Sequence, residues 1–180
     1  MKNTLGKEES GQALLELSFA FVLLAVFVFG IVDFGRAIYD AEVMKNLSGE
    51  GSSLASRGTP PATVARSVIT DADSSINLAN QGCVIVTVVT NAAGTLQVTG
   101  QASQCAITAT SKIGCVQGQS GCSSSSPTLP AGATSALQGE VSGSSLFITE
   151  IYYAYNTTTP ISGFLQGGSL PGQLYSVAYY

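Results

Sequence analysis

An uninterrupted apolar run near the N-terminus limits the folds open to this chain more than any other feature. Residues 13–32 read ALLELSFAFVLLAVFVFGIV, and Glu16 carries the one charge among them. A helix of 20 residues is about 30 Å long, which is the thickness of the hydrocarbon core of a bilayer. The run therefore predicts a helix that can cross a membrane.

Three kinds of segment share this hydropathy. A secretory signal peptide has a shorter apolar stretch, with a small-x-small cleavage site directly after it. Here the run is long and DFGRAIYDAE follows it, which disfavours a signal peptide that is removed whole. A permanent single-pass anchor and a pilin-type segment, which later becomes the core of a filament, share the same physics. Hydropathy does not separate these two.

The helix is predicted to continue past the membrane to Arg57. Apolar or small residues recur there every three or four positions, which indicates one buried stripe. Most charged residues, Asp40 among them, are expected off that stripe. Gly58 and the two prolines after Thr59 then end the helix. The predicted stripe contains Phe34, Ala37, Ile38, Ala41, Met44, Leu47, Gly51, Leu54 and Ala55.

The rest of the chain predicts a second helix and several strands. Residues 61–72 begin with proline and have an apolar face at helical spacing, which indicates a short helix. Residues 114–132 are expected to form a loop. Stretches rich in β-branched and aromatic residues predict strands, and a turn at 91–94 joins the first two in a hairpin. These stretches are residues 83–90, 95–100, 105–112, 145–155 and 172–180.

The expected fold is therefore α+β. Residues 12–58 form a long N-terminal helix, with a membrane half at 13–32 and an amphipathic half at 33–58. Residues 59–180 form an extracytoplasmic α+β domain, in which the short helix and a small antiparallel sheet pack on the distal half of the long helix.

The charge composition argues against several classes of function. The chain has Lys+Arg 7, Asp+Glu 11 and no His, whereas nucleic-acid binding needs clustered Lys and Arg. Without histidine there is no His-based triad, and Glu140 and Glu150 are too isolated in sequence to form an acid/base pair. No glycine-rich phosphate loop follows a strand. We expect no enzymatic activity, no cofactor and no nucleic-acid partner.

The four cysteines lie on one side of the apolar run, in a region rich in Ser and Thr. An even number of cysteines in an exported domain favours disulfides. A zinc site is disfavoured because there is no His and no Cys-x-x-Cys, so we expect no metal. A Cys83–Cys105 bond would join neighbouring strands, and a Cys115–Cys122 bond would close a short loop, but the sequence allows three connectivities.

The junction between the polar N-terminus and the apolar run combines Gly11, Gln12 and Glu16. A carboxylate within a membrane segment costs about 2.5–3.5 kcal/mol on insertion scales, so it calls for a partner. Cleavage after Gly11 would create an α-amine at Gln12, one helical turn from Glu16. The carboxylate could then pair with its own amine or with that of a neighbouring subunit. The alternative is an interfacial Glu16, where burial costs little.

Residues 8–58 resemble the N-terminal region of TadE/TadG-like pilins, in the tight-adherence (Flp) branch of type IV pili. The resemblance rests on Gly11 and Glu16, the apolar run, the GIVDFGRA sequence at 30–37, and the small-residue helix around Gly49 and Gly51. Residues 151–155 and 159–161 also resemble the C-terminal strand and proline-containing turn of the family.

The resemblance implies a pilin-like, minor structural subunit of a Tad-type filament. Prepilin peptidase would cut between Gly11 and Gln12, which makes 1–11 a leader, and Glu16 would match the assembly glutamate. The partners would be inner-membrane lipid, then other pilin subunits through the N-terminal helix, in a homo- or hetero-oligomer. The N-terminus would be cytoplasmic, and the C-terminal domain extracytoplasmic or, in a filament, extracellular. The alternative is an anchored surface binding module that joins no filament.

Overall fold

The computed structural model describes residues 5–72, 76–116, 126–129, 131–156, 159 and 172–180. The four strands in these residues form one antiparallel sheet in the order β2-β1-β3-β4, and the predicted α+β class is confirmed. The elements are α1 (Leu5–Ser56), α2 (Pro61–Ala72), α3 (Leu78–Gln81), β1 (Gly82–Ala92), β2 (Thr95–Cys105), α4 (Ala131–Gly139), β3 (Ser145–Ala154) and β4 (Gln173–Tyr179).

The chain divides into two compact units. The first contains Met1–Ile38 with Asn156–Leu170, and the second contains Tyr39–Tyr155 with Pro171–Tyr180. Residues 5–38 of α1 therefore belong to the first unit, whereas the sheet, α2, α3, α4 and residues 39–56 of α1 belong to the second.

Helix α1 begins at Leu5, earlier than the predicted Gln12, and ends near the predicted position. Gly58 has φ +90°, a backbone conformation that glycine adopts without steric cost. Its N–H donates to the carbonyl of Ala55 at 3.0 Å, and the N–H of Thr59 donates to the carbonyl of Leu54 at 3.4 Å. This is a Schellman motif, which satisfies carbonyls at the end of the helix.

The buried stripe of α1 differs from the predicted one. Ala37, Met44, Leu47 and Ala55 are buried as expected, but Phe34 and Ile38 are more than half exposed. The stripe runs instead through small and acidic residues, which allow close packing where bulky side chains would not fit. Those additional buried residues are Asp33, Asp40, Ser48 and Ser52.

The distal part of α1 and helix α2 cover one face of the sheet. A Cβ atom added to Gly51 would lie 2.9 Å from Thr149 on β3 and 3.0 Å from Val68 on α2. The hydroxyl of Ser48 on α1 lies 3.0 Å from that of Ser176 on β4. The distal part of α1 therefore packs on the sheet beside α2, as the sequence predicts.

Residues 106–116, here called the crossing segment, cover part of the opposite face. The N–H of Ala106 donates to the carbonyl of Gly82 on β1 at 2.9 Å. Farther along, the Nζ of Lys112 lies 3.7 Å from the centroid of the Tyr175 ring on β4. The segment thus passes from β2 across β1 and β3 to β4.

The prediction of a strand at 105–112 is wrong beyond Cys105, where β2 ends. The physical reason is that polar groups at 110–112 bond to side chains on β3 rather than to a neighbouring strand.

Helix α4 follows the crossing segment and begins inside the loop predicted at 114–132. The amide of Asn91 on β1 donates to the carbonyls of Leu137 at 3.0 Å and of Glu140 at 3.1 Å. Leu137 is buried with Val89, Val98 and Ile148 in the cluster on this face. A buried asparagine thus satisfies carbonyls at the C-terminal end of α4.

Candidate functional site

The predicted cleavage and assembly residues lie on the exposed surface of α1. Gly11, Gln12 and Glu16 are all exposed, and residues 1–4 of the predicted leader lie outside the described residues. Because Gln12 and Glu16 are four positions apart in a helix, their side chains lie on the same face. Among the residues that the structure describes, no atom outside the local helix backbone lies within 4 Å of a Cβ position at Gly11.

The apolar run forms a helix surface that the other described residues leave uncovered. From Gly11 the helix is long and apolar enough to cross a membrane, with a mean hydropathy of 2.6 and no burial over its most apolar window. Large side chains from Leu14 to Val32 are between 41 and 73% exposed. Exposure of this many contiguous apolar residues is far beyond the patches found on water-soluble monomers. This length of α1 is therefore a candidate membrane anchor.

A buried carboxylate follows the run. Asp33 is 5% exposed, and its Oδ1 accepts a hydrogen bond from the N–H of Thr159 at 3.3 Å. The hydroxyl of Thr159 donates to the other carboxylate oxygen. Both residues carried the family resemblance in the sequence, and the structure brings them together; Pro160 and Ile161 lie outside the described residues.

A second polar cluster lies beneath the crossing segment, around Glu150 on β3. Glu150 is fully buried. Its carboxylate accepts from the backbone N–H of Lys112 at 2.9 Å, from the hydroxyl of Tyr175 at 3.0 Å and from that of Tyr152 at 3.1 Å. The hydroxyl of Ser111 also donates to it. Four donors from three parts of the chain thus satisfy one buried carboxylate.

The two tyrosines are held as neutral donors. Their rings lie 4.9 Å apart between centroids. The single hydroxyl proton of Tyr152 is shared between Glu150 and the carbonyl of Thr110, which lies 2.8 Å from the hydroxyl oxygen. Burial, followed by the nearby charge of Glu150, raises the pKa of both phenols well above 10. Both phenols therefore stay protonated, and able to donate, throughout the neutral pH range.

The sequence predicts an isolated Glu150, because three of its four partners are distant along the chain. One signal was available in the strand itself. Ile148, Glu150 and Tyr152 are alternate residues and share one face of β3. A carboxylate in register with large apolar residues indicates a buried group that needs donors.

A small cleft of about 230 Å³ adjoins the cluster. Apolar side chains, including Ile148 and Val177, make up most of its lining, together with Tyr175 and Lys112 at its polar side. Within the described parts of the chain, no group of three or more His, Cys, Asp or Glu side chains could hold a metal ion.

Two of the four candidate cysteines are joined in the structure. Cys83 and Cys105 are directly opposed residues of β1 and β2 and form a disulfide. Cys115 is also disulfide-bonded. Cys122 lies outside the described residues, so the Cys115–Cys122 connectivity stays a prediction.

Comparison with known proteins finds a family similarity in the N-terminal segment. A family model described as TadE-like protein matches residues 11–52, which lie within α1. A search of curated proteins and a search of solved structures give no significant match. The resemblance noted in the sequence is confirmed over this segment, and residues 11–52 are therefore similar to the TadE-like family.

Proposed function

We propose that this chain is a pilin-like minor structural subunit of a Tad-type extracellular filament and has no catalytic role. The observation that carries the proposal is the uncovered apolar surface of α1 at residues 13–32, in the segment that the TadE-like family model matches. A subunit that passes from membrane to filament accounts for both findings. It would belong with a family associated with Tad pili, and its helix would have an apolar environment at each stage.

Assembly would exchange one apolar environment for another. In the membrane, lipid covers the exposed side chains of α1. In a filament, the same side chains would pack against helices of neighbouring subunits. Gly30 in this run and Gly35 just beyond it have no neighbouring atom among the described residues within 4 Å of a Cβ position, so another helix could approach closely there.

Processing would prepare the helix for assembly. Prepilin peptidase would cut between Gly11 and Gln12 and release an α-amine at Gln12. Glu16 lies one turn farther along the same exposed face, within reach of this amine or of the amine of an adjacent subunit. A carboxylate that costs free energy in the membrane would thus gain a charged partner during docking.

The proposed location follows from this mechanism. The apolar half of α1 would sit in the bacterial inner membrane with the leader in the cytoplasm. The sheet-containing unit would lie on the extracytoplasmic side, where the Cys83–Cys105 disulfide is chemically expected. The partners would be prepilin peptidase, lipid and other pilin subunits.

The experiment that tests the proposal is intact-mass analysis with N-terminal sequencing in the native host. The protein would be taken both from membranes and from filaments sheared off the cell surface. We expect a chain that starts at Gln12 and is present in the sheared fraction. A chain that starts at Met1 and occurs in membranes alone would contradict the proposal and support a membrane-anchored surface binding module.

A further inference from the structure

We propose that the Cys83–Cys105 disulfide is a redox-controlled crosslink that holds the crossing segment over Glu150. In the oxidised chain the segment supplies two of the donors to the buried carboxylate. On reduction, the segment would leave the sheet and uncover the Glu150 cluster, while the four-stranded sheet itself would remain. This inference does not depend on the proposed filament role.

The position of the disulfide supports this role. Cys83 and Cys105 are the last opposed pair of the β1–β2 hairpin, at the end away from its turn. The crossing segment begins at the next residue, Ala106, whose N–H bonds to Gly82 at 2.9 Å. The bond therefore fixes the point at which the chain leaves the sheet edge and turns across its face.

The crossing segment carries the polar groups that the buried cluster needs. The Ser111 hydroxyl and the Lys112 N–H donate to Glu150, and the carbonyl of Thr110 accepts from Tyr152. Tyr152 and Tyr175 donate from the sheet itself. Release of the segment would remove the first two donors from Glu150 and leave the two tyrosine donors in place.

Apolar contacts link the disulfide to the same region. Cys83 is fully buried and belongs to a cluster with Ile85 and Tyr152, against which Ile107 and Ala109 of the crossing segment pack. Cys105, in contrast, is exposed on edge strand β2. The bond thus has one buried end, at Cys83 beneath the crossing segment, and one exposed end, at Cys105, which a thiol in solution can approach.

The redox step involves two electrons. A dithiol reductant would attack the disulfide at the exposed cysteine, form a mixed disulfide and release the other sulfur as a thiol. The second thiol of the reductant would then attack the mixed disulfide and release Cys105 as a thiol. The protein gains two electrons and two protons, giving two cysteine thiols, and the reductant becomes an intramolecular disulfide.

The test is stepwise reduction of the full chain in detergent micelles with dithiothreitol. Free thiols would be trapped by alkylation and located by mass spectrometry, and amide hydrogen exchange would be followed in peptides covering 106–116, β1 and β3. We expect exchange in 106–116 to rise at least tenfold in the molecules alkylated at Cys83 and Cys105, while β1 and β3 stay protected.

Because the crossing segment also contains Cys115, the two bonds must be distinguished. In the Cys83→Ala/Cys105→Ala chain, residues 106–116 should exchange rapidly without reductant. In the matched Cys115→Ala/Cys122→Ala chain, they should stay protected until Cys83 and Cys105 are alkylated. Stepwise reduction of the unaltered chain distinguishes the effects of the two bonds even where a variant does not fold.

Three results would overturn the proposal. One is unchanged exchange in 106–116 after alkylation of Cys83 and Cys105. Another is exchange that rises with alkylation of Cys115 instead. The third is loss of protection in 106–116, β1 and β3 together, which would assign the disulfide to the stability of the whole sheet.

Discussion

Gly51 on α1 lies directly against Thr149 on β3. A Cβ atom at position 51 would stand 2.9 Å from both the Oγ1 and the Cγ2 of Thr149. Thr149 is fully buried, and its hydroxyl has no hydrogen-bond partner among the described residues. The helix thus approaches the sheet so closely that even one methyl group does not fit without movement.

The first prediction concerns this close approach. Gly51→Ala should lower the free energy of unfolding by about 1–3 kcal/mol, because an added methyl group overpacks a filled interface. Gly49→Ala is the matched control, since its Cβ position is open and alanine favours the helix by up to about 1 kcal/mol. Urea unfolding of both variants measures the difference, and equal stabilities would contradict the proposed contact.

The second prediction concerns the buried carboxylate. Glu150→Ala should destabilise the sheet-containing unit by about 3 kcal/mol or more, because several buried donors lose a charged acceptor. Glu140→Ala removes an exposed side chain and should change stability by no more than about 0.5 kcal/mol. Thermal unfolding of both variants would show the contrast, and a mild effect at Glu150 would argue against a satisfied network.

The third prediction concerns alkaline pH. The phenol pKa values of Tyr152 and Tyr175 are higher in the folded chain than their ordinary value of 10.0. Protons are therefore bound more tightly when the chain is folded. The stability that these groups contribute should not change with pH below pH 10 and should fall as the pH rises above 10, where the unfolded phenols ionise first.

Urea unfolding at a series of pH values tests this expectation. Tyr175→Phe cannot ionise at this position, so its stability should fall less steeply above pH 10 than that of the unaltered chain. At neutral pH the same variant should be less stable by about 1.5–3 kcal/mol, because a hydrogen bond to a charged acceptor is lost. Parallel pH profiles for the two chains would contradict the prediction.

The fourth prediction concerns the end of α4. Asn91 is 2% exposed, donates to two carbonyls near the end of α4, and accepts from the N–H of Gly94 at 2.7 Å. Asn91→Ala should cost about 2 kcal/mol, because buried carbonyls lose their donor. Asn80→Ala, at an exposed position, is the control. Increased amide exchange confined to α4 and the 91–94 turn would accompany the loss.

The fifth prediction concerns assembly and rests on the proposed function. Glu16→Ala should leave membrane insertion and cleavage intact and lower the amount of the protein in sheared filaments at least tenfold, because the new α-amine would lose its partner. Ser18→Ala, at another exposed polar position of the same run, should incorporate normally. Quantitative immunoblotting of both fractions measures the ratio, and normal incorporation of Glu16→Ala would refute the pairing.

Local patterns were sufficient to predict most of the elements. The bounds of α2 coincide with the prediction at 61–72, and the hairpin, β3 and β4 lie where β-branched and aromatic runs are found. Helix α4 was missed because a helix of only 9 residues with two glycines, AGATSALQG, has a weak apolar period.

The Glu150 cluster was missed for a different reason. Three of its four donors, Lys112, Ser111 and Tyr175, lie 38, 39 and 25 positions away along the chain, and no local pattern encodes such distances. The buried stripe of α1 was partly mispredicted because hydropathy favours bulky residues. Close packing on the sheet instead also buries small polar residues such as Ser48 and Ser52.

The Cys83–Cys105 bond also sets how the chain responds to mechanical tension. The two cysteines are 22 positions apart, and the residues between them form a covalently closed loop. A pulling force applied through α1 and β4 can unfold these residues but cannot extend them. At about 3.3–3.6 Å per residue, the closed loop keeps roughly 70–80 Å of contour length from being extended by the force. Under load, the oxidised chain would therefore lengthen less than the reduced chain before becoming taut.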